Sequence, residues 1–255
     1  MKHLAGTLIV KDGILYDYNF KESILNLLEF CDHVFVADGG SKDGTIDVLE
    51  EMYDKYDNLT VSYYRKEDWD AIHGKQKLVW LTDKAIETVE RHGFEWQFSL
   101  QADEIVTEKS YESIREAINS GLADSYFCTR KNLWGNPNTE LNVPQERKPC
   151  STEIIRLAKT IYRAYGDAES LAVDKPNADY LNAINIWHYG FVRKREVMKA
   201  KIINMQEQVF SMQHHDPKLD QSDTFDSTLW FKGDDLKQIT EPHHRLMQKW
   251  VLERL

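Results

Sequence analysis

The stretch His33 to Thr45, HVFVADGGSKDGT, decides the fold. Its first five residues, His33 to Ala37, are mostly apolar, with β-branched and aromatic side chains that suit a buried strand. Turn formers follow without a break, from Asp38-Gly39-Gly40 through Ser41-Lys42 to Asp43-Gly44. From Thr45 to Lys55 the apolar positions Ile46, Leu49 and Met52 share one helical face. A strand that passes through a glycine-bearing turn into a helix is one half of a βαβ unit.

Working outward, the same alternation recurs. Gly6 to Val10 reads as a strand, Asp12-Gly13 as a turn, and Asn19 as the cap of a helix whose apolar face is Ile24, Leu25, Leu27 and Leu28. Leu59 to Tyr64 is a third strand. Gly74 to Glu90 has helical period through Leu78, Leu81, Ala85 and Val89, and Phe94 to Leu100 is a fourth strand ending at Gln101-Ala102-Asp103-Glu104. The pattern predicts an α/β fold, a mostly parallel central sheet with helices on both faces. Ligands of such sheets lie at the carboxyl ends of the strands. Both acidic loops, Asp38 to Asp43 and Asp103-Glu104, fall there.

Past Tyr111 the character changes. A helix near Tyr111 to Ala117 and a strand at Ser125 to Arg130 are followed by polar Lys131 to Pro149, which reads as a long loop. Arg195 to Phe210 reads as helical. Residues 1–120 therefore form one half and 121–255 a C-terminal extension, joined as a continuous domain.

Bulk properties narrow the function classes. A formal net charge of -10 over 255 residues argues against a surface built wholly for nucleic acid, though not against a local basic groove. Cys31, Cys128 and Cys150 are odd in number and widely spaced, so they form no zinc or disulfide pattern and read as free thiols in a reducing compartment. The apolar run Leu4 to Val10 is too short for a signal segment. No run approaches the about 20 apolar residues of a membrane span. The expectation is a soluble, cytoplasmic protein.

Three clusters are candidates for chemistry. The Asp38 loop lacks G-x-G-x-x-G, which argues against a nicotinamide cofactor; Asp38 accepts hydrogen bonds from a ribose or base, or the loop is an acidic turn with Asp43 capping the helix. Asp103 and Glu104, with Gln101 just before, suit a hard divalent cation bridging a diphosphate, or form a solvated acidic turn. In Trp187 to Arg193, His188 is a ligand or a packed core residue, and Arg193 has the fork that binds phosphate.

Together these stretches resemble glycosyltransferase family 2 enzymes with the GT-A, Rossmann-like fold. Val36 to Thr45 resembles the acidic donor loop, Gln101-Ala102-Asp103-Glu104 the DADE form of the metal-binding DxD motif, and Trp187 to Arg193 with Glu196-Val197-Met198 the HYGxVR…EVM segment of a bacterial and phage branch. Pro242 to Met247 is similar to that branch's closing motif. Two positions depart from the pattern: Gln101 and Gly39 stand where the family has acids.

The resemblance implies a metal-dependent transferase moving a hexosyl or pentosyl group from a nucleotide-sugar, a UDP-sugar first, with inversion. Asp38 would contact the nucleoside, with Asp43 and Gly40 shaping the loop. Thr7 and Val10 on the first strand, Lys75, and Gln101 with Ala102 would also meet the donor. Asp103 and His188 would hold Mn2+ or Mg2+, and Arg193 a phosphate. The proton acceptor would be Asp167 first, then Glu169; both could equally be surface charges.

For the acceptor, a saccharide or lipid-linked saccharide ranks first. The stretch Arg147 to Lys201 is net positive and carries Tyr162, Tyr165 and Trp187 with Trp134 nearby, so a hydroxylated base of DNA is the alternative. A different class of answer is a non-catalytic module that only binds nucleotide or glycan, to which the missing acid at Gln101 points. A nucleotidyltransferase would need a glycine-rich basic loop after strand one, and Lys11-Asp12-Gly13 is a poor match.

Overall fold

The computed structural model describes residues 4–255, the side chains of 180–182 excepted. The first half alternates as the pattern requires: β1 Leu4–Val10, α1 Phe20–Leu28, β2 His33–Asp38, α2 Thr45–Lys55, β3 Leu59–Tyr63, a short α3 Lys66–Asp70, α4 Gln76–Arg91 and β4 Trp96–Gln101. Then come β5 Glu104–Val106, α5 Ser110–Ser120, β6 Ser125–Trp134, β7 Asn136–Leu141, β8 Glu153–Lys159, β9 Arg163–Tyr165, β10 Ser170–Ala172 and the long β11 Ala178–Phe191. The chain closes with α6 Arg195–Asn204, a π-helical turn Met205–Val209, β12 Leu236–Gln238 and α7 Gln248–Leu252.

One sheet runs through both halves in the order β12-β7-β6-β8-β4-β1-β2-β3, with β11 laid against β6 and β5. β3, β2, β1 and β4 are parallel. β8 then runs antiparallel to both β4 and β6. The expected α/β architecture is present, with the parallel strands in the first half and mainly antiparallel pairs beyond β4.

Strand alternation sorts the helices onto two faces. Leu8 and Val10 of β1 and Val34 and Val36 of β2 pack with α1, α2 and α5 through Ile24, Leu27, Leu49, Met52 and Ile114. Ala5, Phe35 and Ala37 point the other way, onto Leu81, Ala85 and Val89 of α4. This is the period-two rule at work on strands buried on both sides. The chain winds from β1 to β2 and β3 in one direction, then α4 returns it to β4 on the other side of β1. Strand order therefore reverses between β1 and β4, and the crevice at their carboxyl ends is where such sheets bind ligands.

One expectation is corrected. Lys131 to Pro149 is not a long loop: β6 continues to Trp134, turns at Gly135 and returns as β7. Gly135 has φ +74, and a Cβ there would meet Ser227 Oγ at 2.5 Å, so only glycine makes this turn. The alternating burial of Pro137, Thr139 and Leu141 is a strand signal hidden under prolines and asparagines. Among the described residues no helix is long and apolar enough to cross a membrane.

Candidate active site

A cleft of about 690 Å³ opens at the β1/β4 switch point. Val10, Lys11 and Asp12 come to it from β1, and Gln101, Ala102 and Asp103 from β4. His188 arrives from β11, Lys201 from α6, and Asp167 and Glu169 from the turn between β9 and β10. The two halves of the chain thus meet on one cavity.

Asp103 is its centre. The residue is 5 % exposed. Oδ2 accepts from Arg193 at 3.0 Å and from Lys201 at 3.1 Å, while Oδ1 faces His188 Nε2 at 3.6 Å. Burial alone would raise the Asp103 pKa, but Lys201, His188 and Arg193 outweigh it and hold the carboxyl far below the usual carboxylate range. Burial pushes His188 down to about 4, against the pull of Asp103, so its imidazole is neutral. Burial, seconded by Arg193, also pushes Lys201 down to about 8.

His188 is oriented by Asn132, whose Oδ1 lies 2.9 Å from Nδ1. With an amide oxygen accepting there, Nδ1 carries the proton and the Nε2 lone pair faces Asp103. This arrangement suits a metal-ligating histidine. Gly190 makes room for the ring, since a Cβ at that position would stand 2.2 Å from Nε2. Asp103 Oδ1 and His188 Nε2 therefore fit a divalent metal as two donors of one site, leaving other positions for a ligand. Gln101 adds no carboxylate to them.

Among the described residues, the cluster of three candidate metal ligands lies elsewhere, at Glu29, Glu108 and His244. Arg245 already pairs with both glutamates, and His244 Nδ1 accepts from Leu246 N, which puts its proton on Nε2. That group buttresses the C-terminal segment.

Beneath Asp103 lies a buried charge network. Glu104, fully buried, accepts from Arg130 at 3.1 Å and Arg156 at 2.8 Å through Oε1, and from the Gln101 backbone at 3.0 Å through Oε2. Arg130 reaches on to Glu169, which also accepts from Ser151 N and Oγ. Burial would raise the Glu169 pKa, but Arg130 and Ser151 lower it on balance. Glu169 is thus corrected as a proton acceptor: its oxygens are committed and its basicity is reduced. Asp167, two residues earlier, lines the cleft, and among the described residues no hydrogen bond or ion pair engages its carboxylate.

Several expected donor contacts are corrected too. Asp38 is fully buried and turned inward, accepting from Gly40 N and Ser41 N at 2.9 Å and from the Ser41 hydroxyl, so it builds its own loop and does not line the cleft. Gly40 has φ +82, and a Cβ would lie 2.5 Å from Lys66 N, so it serves the close approach of α3. Asp43 accepts from Leu15 N at 2.6 Å and Thr45 N at 3.1 Å, pinning the β1–α1 loop to the start of α2. Thr7 faces a separate cavity of about 30 Å³ behind Asp167. Lys75 is exposed just before α4 and absent from the cleft lining, whereas Lys77 is buried there with its ammonium 5.6 Å from the Trp69 ring centre. Arg193 is not a phosphate partner: its enclosed guanidinium donates to Tyr16 O, Tyr189 O, Gly190 O and Asp103. It positions Asp103 instead.

Sequence reasoning missed Lys201, Asn132, Lys77 and Glu104's role as the anchor of Gln101. Lys201 was visible only as one charge in a basic stretch. Much of that stretch is engaged within the protein. Arg156 and Arg193 are buried in ion pairs, Lys159 pairs with Asp124, Arg163 with Glu90 and Arg147 with Asp235, and Lys199 donates to Ser222 O. The expected aromatics separate as well: Tyr162 is in the core and Tyr165 is exposed, while Trp134 lines the cleft with Phe191, Phe225, Trp230 and Phe231.

No family model matches the chain, and no curated protein matches it. Among solved structures it is similar to S. aureus TarS 1–349, at 14% identity and TM-score 0.47 over 86% of this chain and 68% of that one. The same fragment in complex with UDP-GlcNAc gives 14% identity and TM-score 0.47, over 86% and 70% of the two chains. Its complex with UDP gives 15% and 0.44, over 86% and 69%.

Proposed function

We propose that the chain is a cytoplasmic glycosyltransferase that moves a hexosyl or pentosyl group from a nucleotide-sugar to a saccharide acceptor, glycan or lipid-linked, with inversion. The observation that carries this reading is the convergence of Asp103, His188, Lys201 and the unengaged Asp167 on one cleft at the β1/β4 switch point.

In this reading the donor lies across the ends of β1 and β4, against Val10, Gln101 and Ala102. Asp103 and His188 would hold a divalent metal, Mn2+ or Mg2+, whose charge offsets that of the departing nucleoside diphosphate. Arg193 fixes the Asp103 carboxylate. Asp167 takes the proton of the acceptor hydroxyl as its oxygen bonds the anomeric carbon and the bond to the diphosphate oxygen breaks. Such a transition state has oxocarbenium character, as in glycoside hydrolysis. The apolar wall of Trp134, Phe191 and Trp230 suits the CH faces of a sugar ring. A saccharide acceptor is preferred over a hydroxylated base of DNA because six of the stretch's basic residues, Arg147, Arg156, Lys159, Arg163, Arg193 and Lys201, are engaged in ion pairs.

The test is a thermal-shift panel of nucleoside diphosphates and nucleotide sugars, UDP-sugars first, with and without Mn2+. Stabilisation by one nucleotide series is expected, followed by sugar release when saccharide acceptors are added. Binding without turnover over any acceptor would favour a non-catalytic module, and no shift with any nucleotide would sink the donor reading.

A further inference from the structure

We propose that Lys201 is the resident diphosphate-binding cation of the cleft, so that a nucleoside diphosphate binds without any divalent metal. This deepens the donor reading above and rests on it.

An ammonium carries three N–H donors. Lys201 Nζ uses one on Asp103 Oδ2 at 3.1 Å and one on Gly190 O at 3.0 Å. Its side chain is 12 % exposed and lines the cleft, so the third donor has a ligand-sized space to meet. Arg193, on the same carboxylate oxygen, has a side chain that is 0 % exposed. Of the two cations on Asp103, only Lys201 can reach a ligand.

The charges agree. Asp103 carries one negative charge and faces two cations, Lys201 and Arg193. The corner therefore holds one positive charge beyond its own carboxylate, in a site shielded from water. A buried charge without a partner is unfavourable, and an anion entering the cleft relieves it. A diphosphate supplies that anion and oxygen acceptors for a compact ammonium. Tyr18 forms the floor, its ring centre 4.5 Å from Arg193 Cζ and 4.9 Å from Lys201 Nζ, and keeps both cations in place. α6, which bears Lys201, runs directly into the π-helical turn Met205–Val209 on the same cleft.

The experiment is calorimetric titration of the full chain with UDP, GDP, ADP, CDP and dTDP, and with the matching nucleosides, in EDTA and in Mn2+. Wild type is expected to bind one diphosphate in EDTA. Lys201→Met should weaken that binding by about 10- to 100-fold, the range of a charge-assisted hydrogen bond, and leave nucleoside binding unchanged. Lys201→Arg should recover part of the loss, which separates lost charge from a misfolded variant. Lys201→Met binding as wild type does in EDTA overturns the proposal, and so does wild-type binding that appears only with Mn2+. Wild type binding none of the diphosphates in either buffer fails the donor reading itself and takes this proposal with it.

Discussion

Replacing Glu104 by Gln tests whether the buried charge network holds up the site. Glu104 is fully buried, and the side chains of its partners Arg130 and Arg156 are each 1 % exposed. Its two oxygens serve different masters: Oε1 takes both guanidiniums, and Oε2 takes the Gln101 backbone N–H. A glutamine amide has one acceptor and one donor. Whichever way it is turned, an NH2 group faces either two guanidiniums or another N–H. Arg130 would then keep only Glu169 as a charged partner, and Arg156 would keep only the Ala168 carbonyl. Breaking a buried pair by removing one partner costs about 3–5 kcal/mol. At about 2–4 °C per kcal/mol for a chain of this size, the melting temperature should fall by about 10 °C. Scanning calorimetry at several pH values is the assay. Arg156 and Arg130 lower the Glu104 pKa against the opposing push of burial. The stabilisation is therefore complete above the unfolded value of about 4.3 and is lost as pH falls through the folded one. The gap between wild type and Glu104→Gln should be constant from pH 8 to about 5 and close below about 4. Adding Arg156→Met should recover part of the loss by removing one uncompensated cation; Arg156 Nε has no protein partner to forfeit. A shift within about 2 °C, or a gap that widens in acid, would refute the reasoning.

Other perturbations separate the roles of the remaining residues. Asp167→Asn should lower kcat by about 10²- to 10⁴-fold with donor affinity unchanged in titration, and near-normal turnover would move the base elsewhere. Gly190→Ala drives a Cβ into the His188 ring, so the increment that Mn2+ adds to nucleotide binding over that in EDTA should fall while the protein still unfolds cooperatively; an unaltered increment would remove His188 from the site. His188 has a folded pKa of about 4 because it is buried. Its contribution to stability is present above the unfolded value of about 6.5 and should decline by about 3 kcal/mol between there and pH 4. In EDTA, His188→Asn should remove that slope from the melting-temperature profile, and an identical profile would show that His188 does not titrate so. Gly40→Ala should destabilise by more than the about 1–3 kcal/mol of backbone strain, because its Cβ also strikes Lys66 N, and a thermally normal variant would contradict the packing of α3 on that loop.

The sequence by itself determined the parallel half of the sheet and which strand ends carry acidic loops. Strand and helix periods are local, and the segment from Thr45 to Lys55 reads as the same helix in both views because its apolar stripe and glycine-led start lie within eleven residues. The acidic ends of β2 and β4 pointed to the carboxyl edge of the sheet, and Asp103, His188 and Asp167 line one cleft at the end of β4. What only the tertiary structure decided is which charged groups are spent on the protein and which face the cleft. Asp38 and Asp103 both end strands in acidic loops, yet one is enclosed by its own turn and the other is held open to the cavity by Arg193 and Lys201, ninety and ninety-eight residues away. Glu169 and Asp167 are two positions apart, and Arg130 on β6 claims the first and leaves the second. The β7 strand was hidden because its pairing with β6 and β12 outweighs the weak strand propensity of Asn136-Pro137-Asn138. Hydrogen-bond commitment and pairing are long-range properties, set by which strands and helices the fold brings within 3 Å of one another, and no local pattern carries that information.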